Sequence, residues 1–123
     1  MSPSIEPINL EEKLASFDEA WSPKIIAALN GQHVRLAKLR GEFVWHHHDD
    51  EDELFLVIQG QLTMELRDKT LELGPGEMVV IPRGVEHRPV AKDEAQVLLF
   101  EPAATVNTGA DRNERTVDEL EWI

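Results

Sequence analysis

No cysteine occurs anywhere in the 123 residues. That absence removes a disulfide framework and every thiolate ligand, so a metal site in this chain has to be built from histidine and carboxylate. It also fits a reducing compartment. Long apolar runs are missing as well. No stretch approaches the length needed to span a bilayer, and the opening MSPSIEPINLEEKLASF carries no basic leader followed by an apolar core. The expectation is a cytoplasmic protein with no membrane contact. Positive charge is scarce: 12 Lys and Arg face 24 Asp and Glu, for a formal net charge of −12. Such a field repels phosphate backbones and anionic lipid, so nucleic acid is not an expected partner. Internal repeats are absent too, which points to one structural unit and not two fused copies.

What is present fits a single folded domain over residues 1–123. The length suits one hydrophobic core, and the shares of hydrophobic (41%) and charged (29%) residues are those of an ordinary globular chain, which argues against disorder. Asn9 with Glu12 three residues on reads as a helix start, and Leu10, Leu14 and Phe17 repeat at helical spacing. A short helix is expected in an N-terminal arm over 1–23, ending before Pro23. From Lys24 the pattern changes to short runs punctuated by turn residues. KIIAALN and HVRLAKLR flank Asn30-Gly31, a strong hairpin signal. FVWHHH, ELFLVIQ, QLTMELR, TLEL, EMVVIP, VEHRPV and AQVLLFE follow as further strands, separated by Gly60, Asp68-Lys69, Gly74-Pro75-Gly76 and Pro82-Arg83-Gly84. Many short strands at regular spacing mean an all-β sandwich or barrel.

Alternation tells which faces are covered. Leu62, Met64 and Leu66 point one way, and Gln61, Thr63, Glu65 and Arg67 the other. ELFLVIQ is apolar on both faces, with Phe55 and Val57 on the Glu53 side and Leu54, Leu56 and Ile58 opposite, so it is covered twice, by protein or by a second copy of the chain. Together with the apolar AQVLLFE this predicts a homodimer. The tail over 102–123 turns polar through ATVNTGADRNER. Thr116 with Glu119 then forms a capping box for a last short helix carrying Leu120, Trp122 and Ile123.

The chemistry is concentrated in a few residues. His46 and His48 are two apart on an expected strand and leave the same face as Val44, whereas Phe43, Trp45 and His47 leave the other. Glu53 opens the next strand on the face of Phe55 and Val57, and His87 comes from a distant strand on the face of Val85 and Pro89. Three imidazoles and a carboxylate suit one divalent transition metal ion: Mn, Fe, Co, Ni, Cu or Zn. An isolated acidic, His-rich run such as HHHDDEDE is more simply a solvated loop, so Asp49, Asp50, Glu51 and Asp52 are left out of the ligand set. His33 reads as a surface or hydrogen-bonded histidine and Arg83 as an exposed turn residue. Phe43, Trp45, Phe55 and Phe100 read as core and not as a substrate box.

These residues also form two spaced motifs: Gly41…His46-x-His48-x4-Glu53-x6-Gly60, then Gly76-x5-Pro82-x-Gly84-x2-His87. The chain thereby resembles the cupin superfamily, in particular the compact single-domain microbial cupins often loosely labelled mannose-6-phosphate-isomerase-like. The resemblance covers 41–87, the middle third of the chain. Two details depart from the pattern: four residues separate Gly41 from His46 where five are common, and Ala91 stands where the second motif often ends in asparagine. The resemblance implies a jelly-roll barrel, also called a double-stranded β-helix, and a metal held by His46, His48, Glu53 and His87. It also implies a class of activity, since cupins with three histidines and a glutamate include dioxygenases, oxidases, isomerases and lyases. The loose label does not by itself imply that substrate.

The functional expectation is a metalloenzyme acting on a small oxygenated metabolite, with Glu53 in a loosened state, or a metal-bound hydroxide, as general base. The rival is a barrel that binds a small ligand or the ion without turnover, favoured by the mostly Val, Leu, Met and Phe inward faces. A purely structural metal is weaker, because closed structural sites usually use cysteine.

Overall fold

The alternating runs fold into paired strands around one main core. The structure is a computed structural model and describes residues 5–123, so the first four residues of the expected N-terminal arm lie outside the described residues. α1 (Leu10–Ala15) starts at Asn9, whose side-chain oxygen accepts the Glu12 N–H at 2.9 Å. This bond satisfies one of the N–H groups a helix start leaves unpaired. Leu14, and Phe17 just past the helix, pack against Ile26 and Leu36.

Among the described residues the strands are β1 (Lys24–Leu29), β2 (Gln32–Glu42), β3 (Glu53–Gln59), β4 (Leu62–Leu66), β5 (Thr70–Leu73), β6 (Met78–Ile81), β7 (His87–Pro102) and β8 (Glu121–Trp122). β1 and β2 form the expected hairpin, with Asn30 and Gly31 both at positive φ, 50° and 76°. That turn matches the twist of the flanking strands. The sheet order is β5-β4-β7-β2-β1-β8, with β3 pairing both β7 and β6. β7 organises the barrel. Its first residues pair with β4, and its later ones lie between β2 and β3.

Three strand-level expectations are corrected. VEHRPV and AQVLLFE are one strand and not two, because the polar Lys92-Asp93-Glu94 stretch stays extended where the β2 pairing shifts register between Leu39 and Gly41. FVWHHH is not a strand. β2 ends at Glu42, and the backbone of the following segment meets that of 87–89 through the Phe43 N–H to Pro89 and an isolated bridge between His46 and His87. The C-terminal helix is absent. Glu121-Trp122 instead pairs in parallel with Lys24-Ile25, and the Thr116 hydroxyl bonds Thr108 at 2.6 Å and accepts the Asn113 N–H at 2.9 Å. A helix of two turns gains little against its nucleation cost, whereas pairing closes the open edge of β1.

Ala37, Leu39, Phe55, Val57, Leu62, Met64, Val97 and Leu99 form the centre of the core. Each of the larger ones stabilises the fold by about 1.5–3 kcal/mol through burial. β3 and β4 alternate as expected, with Phe55 and Val57 buried while Leu54, Leu56 and Ile58 are half-buried on the opposite face. No helix among the described residues is long and apolar enough to cross a membrane.

Candidate metal centre

His46 and His87 face each other across the bridge, joined by reciprocal backbone bonds of 3.1 and 2.9 Å that bring their ring centroids to 4.2 Å. Each ring is oriented from behind. His46 Nδ1 lies 2.9 Å from the Val44 carbonyl, and His87 Nδ1 lies 2.9 Å from that of Val85. Nδ1–H therefore donates to the backbone and Nε2 carries the free lone pair, the arrangement a metal-binding imidazole needs. His48 keeps the parity of His46, and Glu53 enters from the first position of β3. One ligand atom from each of His46, His48, Glu53 and His87 lies within 4.8 Å of all the others, and all four residues are buried.

The four also fit an ion by a second test. His48 Nε2 and His87 Nε2 approach Glu53 Oε1 to 3.2 and 3.4 Å, yet none of these three atoms has a hydrogen-bond partner among the described residues. Buried polar atoms without partners are costly and rare in folded proteins. A divalent cation would satisfy all three at once, and a set of three nitrogens and one oxygen suits first-row metals.

Charge at the site is finely divided. Burial, and then the neighbouring His87, push the His46 imidazole down from 6.5 to about 4. Burial acts to lower His48 too, but the Glu53 carboxylate beside it and Glu51 outweigh that and raise it. Burial acts to raise Glu53, and contacts with Glu101, His48 and His87 outweigh it and hold Glu53 well below the usual carboxylate range. Glu101 is pushed well above that range by burial and by the charge of Glu53. Two fully buried carboxyl groups in reach of each other do not both ionise without a cation between them, so Glu53 keeps the charge and Glu101 the proton.

His47 and the acidic loop lie outside this four-residue cluster. His47 turns away, with Nε2 at 3.0 Å from Asp49 and Nδ1 at 3.3 Å from Asp111. Asp49, Asp50 and Asp52 are exposed and Glu51 is half-buried. Asp52 accepts the Arg83 N–H at 2.9 Å and closes the loop onto the exposed turn. His33 is half-buried against the Arg35 guanidinium at 3.2 Å. The C-terminal tail packs over the histidine loop: the Ala110 N–H donates to the His47 carbonyl at 3.0 Å. At Gly109, with φ +60°, a Cβ would overlap that carbonyl.

A cavity of about 40 Å³ lies beside His46 and Glu53, walled by Trp21, Phe43, Phe55, Leu99, Glu101 and Asn107 among others. Phe43 is a correction. Parity places it opposite His46, but it is buried edge-on to the His46 ring at 5.2 Å and stacks on Trp21 at 4.7 Å. Outside a regular strand the period of two is not kept between 43 and 46. Phe43 and Phe55 thus serve as core and as cavity wall together, whereas Trp45 lies half-buried under Arg67 at 3.8 Å. Glu101 and Arg35 are functional candidates that the sequence reading passed over. Each shares the parity of inward residues, Val97 and Leu99 for Glu101 and Ala37 and Leu39 for Arg35, so alternation was a usable signal. Trp21 and Asn107 lie outside the strands and offered none.

A family model described as Cupin domain matches residues 32–101, which spans β2 to β7 and contains all four clustered residues. A cupin-2 domain containing protein from Shewanella frigidimarina NCIMB 400 is 47% identical, with a TM-score of 0.76 over 77% of this chain and 93% of that one. Protein NMB1881 from Neisseria meningitidis is 33% identical, with a TM-score of 0.72 over 80% of this chain and all of that one (100%). A Bacillus subtilis protein called uncharacterized protein YdbB is 41% identical over 80 residues, 64% of this chain; the match spans 65% of that relative's length. Motif spacing, strand order and family model meet on the same residues, and the chain belongs to the cupin domain family.

Proposed function

We propose that this cupin is a metal-dependent enzyme acting on a small oxygenated molecule, its domain spanning residues 1–123 and its divalent transition metal held by His46, His48, Glu53 and His87. The observation that carries the reading is the convergence of four buried ligand atoms within 4.8 Å at one side of a largely apolar cavity. When bound, the ion supplies Lewis acidity or a redox centre at a substrate oxygen. The chain's own residues do the rest. Val44 and Val85 carbonyls fix the two imidazoles, the Trp21–Phe43 pair and Phe55 exclude water from an apolar substrate body, and Glu53, when loosened, is placed to take a proton. About 40 Å³ holds only a few water-sized groups, so a ligand enclosed there is small.

The rival reading is a binder without turnover, supported by the mostly apolar wall. Glu101 and Asn107 on that wall weaken it by adding polar groups beside the ligand set. Elemental analysis of protein purified without added metal, followed by oxygen-consumption and product screens over small diols, phenols and hydroxy acids, tests both. One ion per chain and a turnover abolished in His46→Ala are expected. A chain that takes up no divalent ion refutes the metal reading; one that binds the ion and converts nothing is a binder.

We further place the protein in the cytoplasm, on its lack of cysteine, and read it as a homodimer. Leu54 and Leu56 pair across β3 with the exposed Val80 and Met78 on one side and with Phe100 and Leu98 on the other. That apolar face ends at β6, a strand whose second edge has no partner among the described residues.

A further inference from the structure

Arg35 and Glu101 are both 2% exposed, and the guanidinium meets the carboxyl group at 2.8 Å inside the barrel. Burying such a pair is expensive and by itself weak evidence for stability, so its placement asks for another reason. Arg35 is fully committed at its tips. Nη1 donates to Glu101 Oε1 and to the Thr105 carbonyl at 2.9 Å, and Nη2 donates to the Ala103 carbonyl at 3.0 Å. One Glu101 oxygen is therefore fixed. The other, Oε2, is buried with no hydrogen-bond partner among the described residues, on a residue that the pairing of Leu54 with Phe100 sets beside Glu53 and which lines the same cavity as Glu53 and His46.

We propose that Arg35 and Glu101 form a buried support that orients Glu53 as a metal ligand, Arg35 clamping one oxygen of Glu101 so that the other is held against the Glu53 carboxyl group. The inference rests on reading His46, His48, Glu53 and His87 as the ligand set. It gives Glu53 what the Val44 and Val85 carbonyls give His46 and His87, a fixed partner behind the ligand. Glu101 is a positioning residue and touches no ion. Partners of this kind typically set metal affinity by 10–100-fold.

The test is Co(II) binding to the full chain by isothermal titration, with the metal-free melting temperature recorded for each variant. Glu101→Leu is expected to weaken binding by roughly 10–100-fold, whereas Glu101→Gln, which still accepts from Arg35 and presents N–H to Glu53, stays within about threefold of the parent. Glu101→Asp keeps the carboxyl group but withdraws it by one methylene, and is expected to fall between them. It serves as the deciding variant should Glu101→Leu not fold. In a Glu53→Ala background the Glu101 substitutions should have no further effect. Parent-like affinity in folded Glu101→Leu, or in Glu101→Asp where it is the deciding variant, overturns the proposal, as does an equal loss with Glu53 already removed, which marks a general structural role. Failure of the ligand-set reading looks different: the parent chain itself then takes up no Co(II).

Discussion

Acid should destabilise the metal-free protein through His46 in particular. Its ring is buried, and its ionisation is pushed from 6.5 down to about 4 by burial and by His87. Above pH 6.5 the imidazole is neutral in both folded and unfolded chains and contributes no pH dependence. Below that, the unfolded chain takes up a proton that the folded chain refuses, so stability falls by about 1.4 kcal/mol per pH unit until the folded ring also protonates near pH 4. The span from 6.5 to about 4 amounts to roughly 3 kcal/mol. His48 runs the other way. Its ionisation is raised, so it contributes stability that is present below its unfolded value and lost as pH rises through its folded one. Isolating His46 therefore takes a comparison. Urea unfolding followed by tryptophan fluorescence, in chelator at pH 7, 6, 5 and 4, would be run on the parent and on His46→Phe. The parent should lose roughly 3 kcal/mol more than the variant across that range. Two curves that differ by a constant offset would mean that the His46 ring is not held neutral by its surroundings, and the reasoning fails.

Three further outcomes are expected. His47→Ala should keep its metal, because the ring points to Asp49 and Asp111, while His46→Ala or His87→Ala should lose most of it; equal metal content by elemental analysis in all three would break the parity argument. Chelation should leave the chain folded on its own core but melting lower, since an ion at a hundred times its dissociation constant adds about 2.7 kcal/mol; calorimetry showing outright unfolding would make the metal structural. Light scattering should give a mass of twice 13.9 kDa, and Met78→Lys with Val80→Lys should halve it; a monomer over a wide concentration range would sink the dimer.

Alternation, turn residues and motif spacing made much of this protein legible in one dimension. The inward sets of β3 and β4, the Asn30-Gly31 hairpin and the Asn9 cap follow from local rules, since a strand's side chains alternate and a helix start needs an acceptor whatever the rest of the chain does. The same parity grouped His46 with His48 and turned His47 outward. Local rules failed where partners came from far away. Trp122 entered a strand because the open edge of β1 was there to pair with, and the 43–48 segment lost its regular pleat because only His46 found a bridging partner in His87. Pairing of that kind is a long-range contact, and no window of sequence contains both sides. The convergence of Glu53 and Glu101 is the clearest case: the two lie on neighbouring strands 48 positions apart, and only the closing of β3 onto β7 puts two carboxyl groups where a single charge can be held.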